Sequence, residues 1–254
     1  MLSYGDLSYM ANGSDSKKYR TKKILSSIWK WSKRIIIWIF IAQLFYIILL
    51  KWVNPPITMT QFVSWVSGYG LKREYVSRKA ISPNVKLAVI SSEDQLFPDH
   101  HGFDWKSIKK AMAYNRKKPG RIHGGSTISQ QVAKNVFLWQ GRSWIRKGLE
   151  VYFTFMIEKI WGKKRILEMY LNVIEMGEGI FGIEMAAQKY FNKPAKNLTR
   201  QEAAMIAACL PNPKRYKVKP LSGYVSSRSR WVLQQMNNLQ TDPDVQKLTG
   251  AIPP

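Results

Sequence analysis

The chain has 254 residues and carries 40 Lys or Arg against 16 Asp or Glu, a formal charge of +24. That excess demands an acidic partner: nucleic acid, an anionic membrane surface or a phosphorylated substrate. The single cysteine, Cys209, excludes an intrachain disulfide, and its place in the apolar run 203–210 marks it as core packing.

Residues 1–34 hold eight Lys or Arg (Lys17, Lys18, Arg20, Lys22, Lys23, Lys30, Lys33, Arg34) against Asp6 and Asp15. The next stretch, IIIWIFIAQLFYIILL over 35–50, has no charge and one polar residue, Gln43. As a helix it rises about 24 Å, slightly less than a hydrocarbon core of about 30 Å. Trp29, Trp31 and Trp52 can sit at the interfaces and Lys51 can snorkel, so residues 35–53 are expected to span a bilayer. The alternative is a buried core helix. The positive-inside rule keeps the basic tail 1–34 cytoplasmic and sends the rest of the chain across. The long charged region, with no small-x-small site after Leu50, favours an uncleaved anchor over a signal peptide. Export removes nucleic acid as the normal ligand and favours a membrane surface or a diphosphate-bearing lipid.

Asn54-Pro55-Pro56 ends the span. Residues 54–80 read as a linker or membrane-apposed segment, and Ser82-Pro83 opens a compact domain at about 81–240. Within it the pattern is helical. Asp104, Ser126, Ser143, Thr199 with Glu202, and Ser222 are candidate helix caps, and 116–121 is a basic loop. The helix from Ser222 is expected to be the last, with a C-terminal tail over 241–254 whose end, from Gly250, is disordered. No period-2 alternation is sustained, so the expected fold is mainly α.

Five clusters carry chemistry. The first, Ser92 to Gly102, brings Glu93, Asp94, Phe97, His100 and Gly102 together after the apolar run 85–90. A carboxylate held against such a core has a raised pKa and can act as a base or acid; a capped helix end is the plainer reading. The second, Gly124 to Asn135, leads small residues into a helix start, a natural anion site. Gln130 and Lys134 share one of its faces, with Gln131 beside them. In the third, Arg142, Arg146 and Glu150 fall at i, i+4 and i+8, a spacing equally suited to a surface ion-pair ladder. The fourth, Lys163 to Asn172, and the fifth, Arg228 to Leu233, are mainly packing with polar ends.

In this order, after an anchor, the clusters closely resemble the peptidoglycan glycosyltransferases that polymerise lipid II. The family pattern EDxxFxxHxG is met by Glu93, Asp94, Phe97, His100 and Gly102. GxSTIxQQxxKN is met by Gly124, Ser126, Thr127, Ile128, Gln130, Gln131, Lys134 and Asn135, and RKxxE by Arg146, Lys147 and Glu150. KxxILxxYLN is met by Lys163, Ile166, Leu167, Tyr170, Leu171 and Asn172, whereas RRxxVL keeps Arg228, Val232 and Leu233 but departs at Ser229. The resemblance covers about 80–240 and implies a lysozyme-like all-α domain of the monofunctional biosynthetic type, anchored in a bacterial inner membrane with its catalytic domain periplasmic.

The resemblance further implies Glu93 and Glu150 as catalytic residues. Ser126, Thr127, Gln130, Gln131, Lys134, Asn135, Arg142, Arg146 and Lys147 would bind diphosphate and sugar. Asp94, Phe97, His100, Gly102 and Asn172 would be structural. No resident metal is expected, although a divalent cation such as magnesium or manganese could sit near the substrate diphosphate. Expected partners are lipid II, the growing lipid-linked glycan, the membrane and other cell-wall synthesis or division proteins, with no nucleic acid; moenomycin is the family's inhibitor. Two competitors remain. A lysozyme-like hydrolase would also use two carboxylates but needs no diphosphate site, and a non-enzymatic membrane scaffold would not need both glutamates.

Overall fold

The computed structural model describes residues 4–118, 124–141 and 143–250; Arg142, the loop positions 119–123 and the final residues 251–254 lie outside the described residues. The chain divides into two units, Met1–Leu49 and Leu50–Pro254. The first is one helix, α1 (Tyr4–Leu49), and its stretch Ser27–Leu49 is long and apolar enough to cross a membrane. That stretch starts earlier than the apolar run alone because Trp29, Trp31 and the residues between them continue the helix.

The second unit is built around α3 (Pro83–Glu93). Pro83 stands in the first turn, where no amide donor is needed, and the Ser82 hydroxyl accepts from the Asn84 N–H. Val85, Leu87, Ala88, Val89 and Ile90 are all buried, so α3 is apolar on every side, as a helix enclosed by others must be. It packs against α9 (Arg200–Cys209), α10 (Gly223–Leu239) and α11 (Pro243–Thr249). A second group joins α5 (Ile128–Phe137) to α6 (Trp144–Ile160) and α7 (Lys163–Val173). The remaining helices are α2 (Met59–Val66), α4 (Trp105–Lys117) and α8 (Ile183–Phe191). The fold is mainly α, as expected.

One small sheet was not legible. Strand β3 (Ile180–Phe181) lies between β1 (Lys72–Arg73), parallel to it, and β2 (Glu175–Gly177), antiparallel. Strands this short carry no period that could be read in the sequence.

Several helix starts follow local chemistry. Asp104 caps α4, Ser222 caps α10, and Thr199 closes a capping box with Glu202 on α9. Thr127, not Ser126, caps α5: its hydroxyl accepts from the Gln130 N–H, and the Gln130 carboxamide oxygen accepts from the Thr127 N–H. Ser143 precedes α6 without a side-chain cap bond. Within the stretch read as a linker, Thr58 and Gln61 form another capping box and start α2. This helix is inverted: Thr60, Gln61 and Ser64 are buried while Met59, Phe62, Trp65 and Val66 are exposed.

Beyond 240, Asp242 caps α11 by accepting from the N–H groups of Asp244 and Val245, and the buried Lys86 of α3 donates to the Thr249 carbonyl. The helix from Ser222 is therefore not the last.

Asn172 shows how the segment after β1 is held. Its side chain accepts from the Val76 N–H at 2.8 Å and donates to the carbonyls of Val76 and Glu168. Replacing Asn172 with Ala removes the partner of the Val76 N–H and carbonyl, and chemical denaturation should register a loss of about 1–3 kcal/mol.

Candidate functional site: a cleft at the junction of two helices

The end of α3 meets the start of α5 through Asp94. Its carboxylate accepts from the Ile128 N–H at 2.9 Å and from His100 Nε2 at 3.0 Å. The Gly102 N–H donates to His100 Nδ1, so this nitrogen carries the lone pair and Nε2 the proton. Thr127 Oγ1 donates to the Gly102 carbonyl at 2.7 Å, which closes the loop onto the first turn of α5.

Gly102 is required twice over. Its φ is +93°, and a Cβ would stand 2.8 Å from Thr154 Cγ2 and 3.0 Å from Glu158 Cγ. Phe97 is fully buried, with the Lys163 ammonium 4.5 Å from its ring centre. Lys163 also donates to Glu158, which accepts from the Ser129 hydroxyl as well.

Glu93 is the last residue of α3. Its Oε2 accepts from the Gln131 carboxamide at 2.9 Å, and Gln131 Oε1 accepts from the Tyr170 hydroxyl at 3.3 Å. Burial pushes the Glu93 carboxyl above the ordinary carboxylate range, and nearby Asp94 adds to the rise; the Gln131 bond and the charges of Arg228 and Lys134 restrain it. Part of the side chain stays open to a cavity, but protein surrounds the carboxyl densely enough for desolvation to dominate.

Lys134 follows Gln131 by three positions on α5. Burial lowers its ammonium pKa, with Arg146 and Lys147 pushing the same way and Glu150 and Glu93 opposing. Glu150, only 3% exposed, accepts from Arg146 Nη1 at 2.7 Å and Lys147 Nζ at 2.5 Å. The Arg146–Glu150 step of the ladder read in the sequence is thus folded inward, around a buried acid. Arg146 Nε is buried, with no hydrogen-bond partner among the described residues.

Two cavities border this group. One, of about 420 Å³, is lined by Glu93, Asp94, Gln95, Lys106, Lys110, Ser126 and Thr127 among others. The other, of about 320 Å³, is lined by residues that include Gln131, Lys134, Asn135, Thr60, Tyr69, Glu175 and Lys214. Gln131, bonded to Glu93, belongs to the wall of the second. Asn135 also ties α2 to α5, since its Oδ1 accepts from the Thr60 hydroxyl at 3.0 Å. Thr127 and Gln130 are buried and engaged in the α5 cap, whereas Ser126 is exposed at the cavity edge.

Sequence reasoning named Tyr170 and Arg228 only within the fourth and fifth motifs, both read mainly as packing, and missed Glu175 and Lys214, which reach the region only through the fold. Burial raises the Glu175 carboxyl, and Lys214 lies 3.9 Å from it while standing 3.6 Å over the Tyr69 ring.

The donor set does not fit a resident divalent metal. Both Glu150 oxygens are bonded to cations, and among the described residues no group of three His, Cys, Asp or Glu could hold one.

A helical cleft that places a buried glutamate beside ammonium and guanidinium groups is suited to moving a glycosyl group away from an anionic leaving group. Residues 60–237 match the family model described as Transglycosylase, and the chain belongs to this family of glycosyl-transferring enzymes. It is 56% identical over 190 residues to the biosynthetic peptidoglycan transglycosylase of Shigella boydii serotype 4, covering 74% of this chain and 78% of that protein. The proteins of the same name from Escherichia coli O139:H28 and from Escherichia coli K12 / DH10B give the same identity and coverage.

Replacing Gly102 with Ala forces both a strained φ and a collision with Thr154. Denaturant titration should show a loss of about 2–4 kcal/mol.

Proposed function

We propose that the chain is a peptidoglycan transglycosylase that polymerises lipid II by inverting transfer with Glu93 as the general base. The donor is the growing glycan, held through its reducing-end sugar on undecaprenyl diphosphate; the acceptor is the 4-hydroxyl of a second lipid II. As the acceptor oxygen bonds to the donor anomeric carbon, the bond from that carbon to the diphosphate breaks. The acceptor proton passes to Glu93, and undecaprenyl diphosphate leaves with the bonding pair.

The observation that carries this reading is the pairing of Glu93, destabilised as an anion by burial, with the cations around Lys134. Lys134, Arg146 and Lys147 offset the charge developing on the leaving diphosphate. Arg142 has the charge for the same task but lies outside the described residues. With both oxygens engaged by Arg146 and Lys147, Glu150 is best suited to orienting those cations. A hydrolase acting on the finished polymer would have no use for this cationic wall.

The membrane reading rests on α1 and on exposed apolar faces of the second unit. Phe62, Trp65 and Val66 on α2, with Trp144, Ile145 and Phe155 on α6, suit contact with a bilayer from which a lipid-linked substrate is drawn. In this arrangement the N-terminus is cytoplasmic and the catalytic domain periplasmic, in the inner membrane.

Glu93→Gln should reduce polymerisation of labelled lipid II by at least ~10²-fold while lipid binding persists; moenomycin is the inhibition control. Near-normal polymer formation by this variant would sink the assignment. Intact enzyme should release no muropeptides from purified cell wall.

The pH dependence has two opposite signs. Glu93 works as a base only when ionised, so kcat should rise as pH passes its raised pKa. Folding favours the protonated form, so this group's contribution to stability is full below the ordinary carboxylate pKa and is lost as pH rises through the folded value. Glu93→Gln should therefore raise Tm at neutral pH.

Replacing Phe62 and Trp65 with Ser should weaken liposome binding by the domain lacking α1. Unchanged co-sedimentation would count against the membrane face.

A further inference from the structure

We propose that Tyr170 is a positioning residue for the transfer reaction: its hydroxyl fixes the orientation of the Gln131 carboxamide, which then presents N–H rather than C=O to Glu93. This rests on the reading of Glu93 as the base.

The chain of contacts is directional. A carboxylate can only accept, so the Gln131 group facing ionised Glu93 must be Nε2, and the contact is 2.9 Å. That leaves Gln131 Oε1 on the other side, where the Tyr170 hydroxyl donates to it at 3.3 Å. Tyr170 comes from α7, is fully buried, and burial holds its phenol protonated well beyond the ordinary tyrosine range, so it stays a donor.

If the carboxamide flips, its oxygen faces Glu93 and favours the protonated acid, which cannot accept the substrate proton. Tyr170 opposes that flip because the hydroxyl proton has its acceptor only in the productive orientation. Among the described residues, nothing else bonded to the Gln131 side chain does this. Asn135 contacts its backbone carbonyl.

Among the described residues, the other titratable groups around Glu93 are Asp94 beside it, Lys134 from α5, Arg228 and Tyr224 from α10, Cys209 from α9, and, across the shared cavity, Asp104, Lys106 and Lys110 at α4. Burial pushes the Cys209 thiol up to about 12 and raises the Tyr224 phenol, so neither ionises at neutral pH. None of them bonds to the Gln131 carboxamide, so a change confined to the Tyr170 hydroxyl reaches Glu93 through Gln131.

The test uses the full chain in detergent micelles with labelled lipid II, following kcat and KM against pH for wild type, Tyr170→Phe, Gln131→Met and the double variant. Tyr170→Phe keeps the ring and removes one hydroxyl. Its kcat should fall about three- to tenfold at neutral pH, with KM little changed. The acid limb of kcat should move to higher pH, and raising the pH should recover most of the loss. The double variant should be no worse than Gln131→Met alone, because both changes act on one path.

A uniform loss at every pH with the limb unmoved, or additive losses in the double variant, would overturn the proposal. If Tyr170→Phe fails to fold, Gln131→Met still reads the limb: a limb unmoved in that variant overturns the proposal as well. Turnover by Glu93→Gln would instead remove the base assignment beneath it, so the two failures are distinguishable.

Discussion

The carboxylate of Asp94, closed in between the end of α3 and the start of α5, holds together the two helices that carry the site. It accepts from the first turn of α5 through Ile128 and from His100, whose other nitrogen receives the Gly102 amide. A buried carboxylate without such partners is strongly unfavourable, so each partner is bound to the position of the others. The loop from 94 to 102, the cap of α5 and the packing against Glu158 therefore form one unit rather than three local features.

Glu93, one residue earlier, has a contrasting environment. Among the described residues a single carboxamide donates to it, and burial works against its charge. Two neighbouring acids thus receive opposite treatments: Asp94 is satisfied by its partners, while burial works against the charge of Glu93. Glu150 is a third case, neutralised by two cations on its own helix. Separating the environments of like groups is how one fold gives them different tasks.

Much of this was legible in the sequence because it is local. Proline and serine at 82–83, aspartate at 104 and the box at Thr199 state where helices start. The order of motifs singled out Glu93, Lys134, Arg146 and Glu150, which the fold brings near one another. The errors were also local in origin: adjacent hydroxyls at Ser126 and Thr127 both satisfy a capping rule, and the exposed aromatics of α2 disguised a helix whose polar side faces inward. Asp242-Pro243 carried a start signal for α11 that the polar end of the chain obscured. What could not be read depends on contacts across long sequence separations. Tyr170 looks like any apolar-spaced helix residue until Gln131 is set against it, and Lys214 gains meaning only beside Glu175 and Tyr69.

The three threonine capping boxes differ in one atom with a consequence for the cleft. At α9 the closing residue is Glu202, which lines neither cavity and is an ionised group balanced by Lys193. At α2 and α5, which border the cavities, the closing residues are Gln61 and Gln130. Amide and acid close the backbone ring equally well, but the amide adds no charge. Near Glu93 and Asp94 a further carboxylate would repel both and offset the lysine and arginine wall. The fold thereby separates two jobs often given to one residue: where a helix begins is fixed by hydrogen bonding, and the electric field of the cleft is left to other side chains.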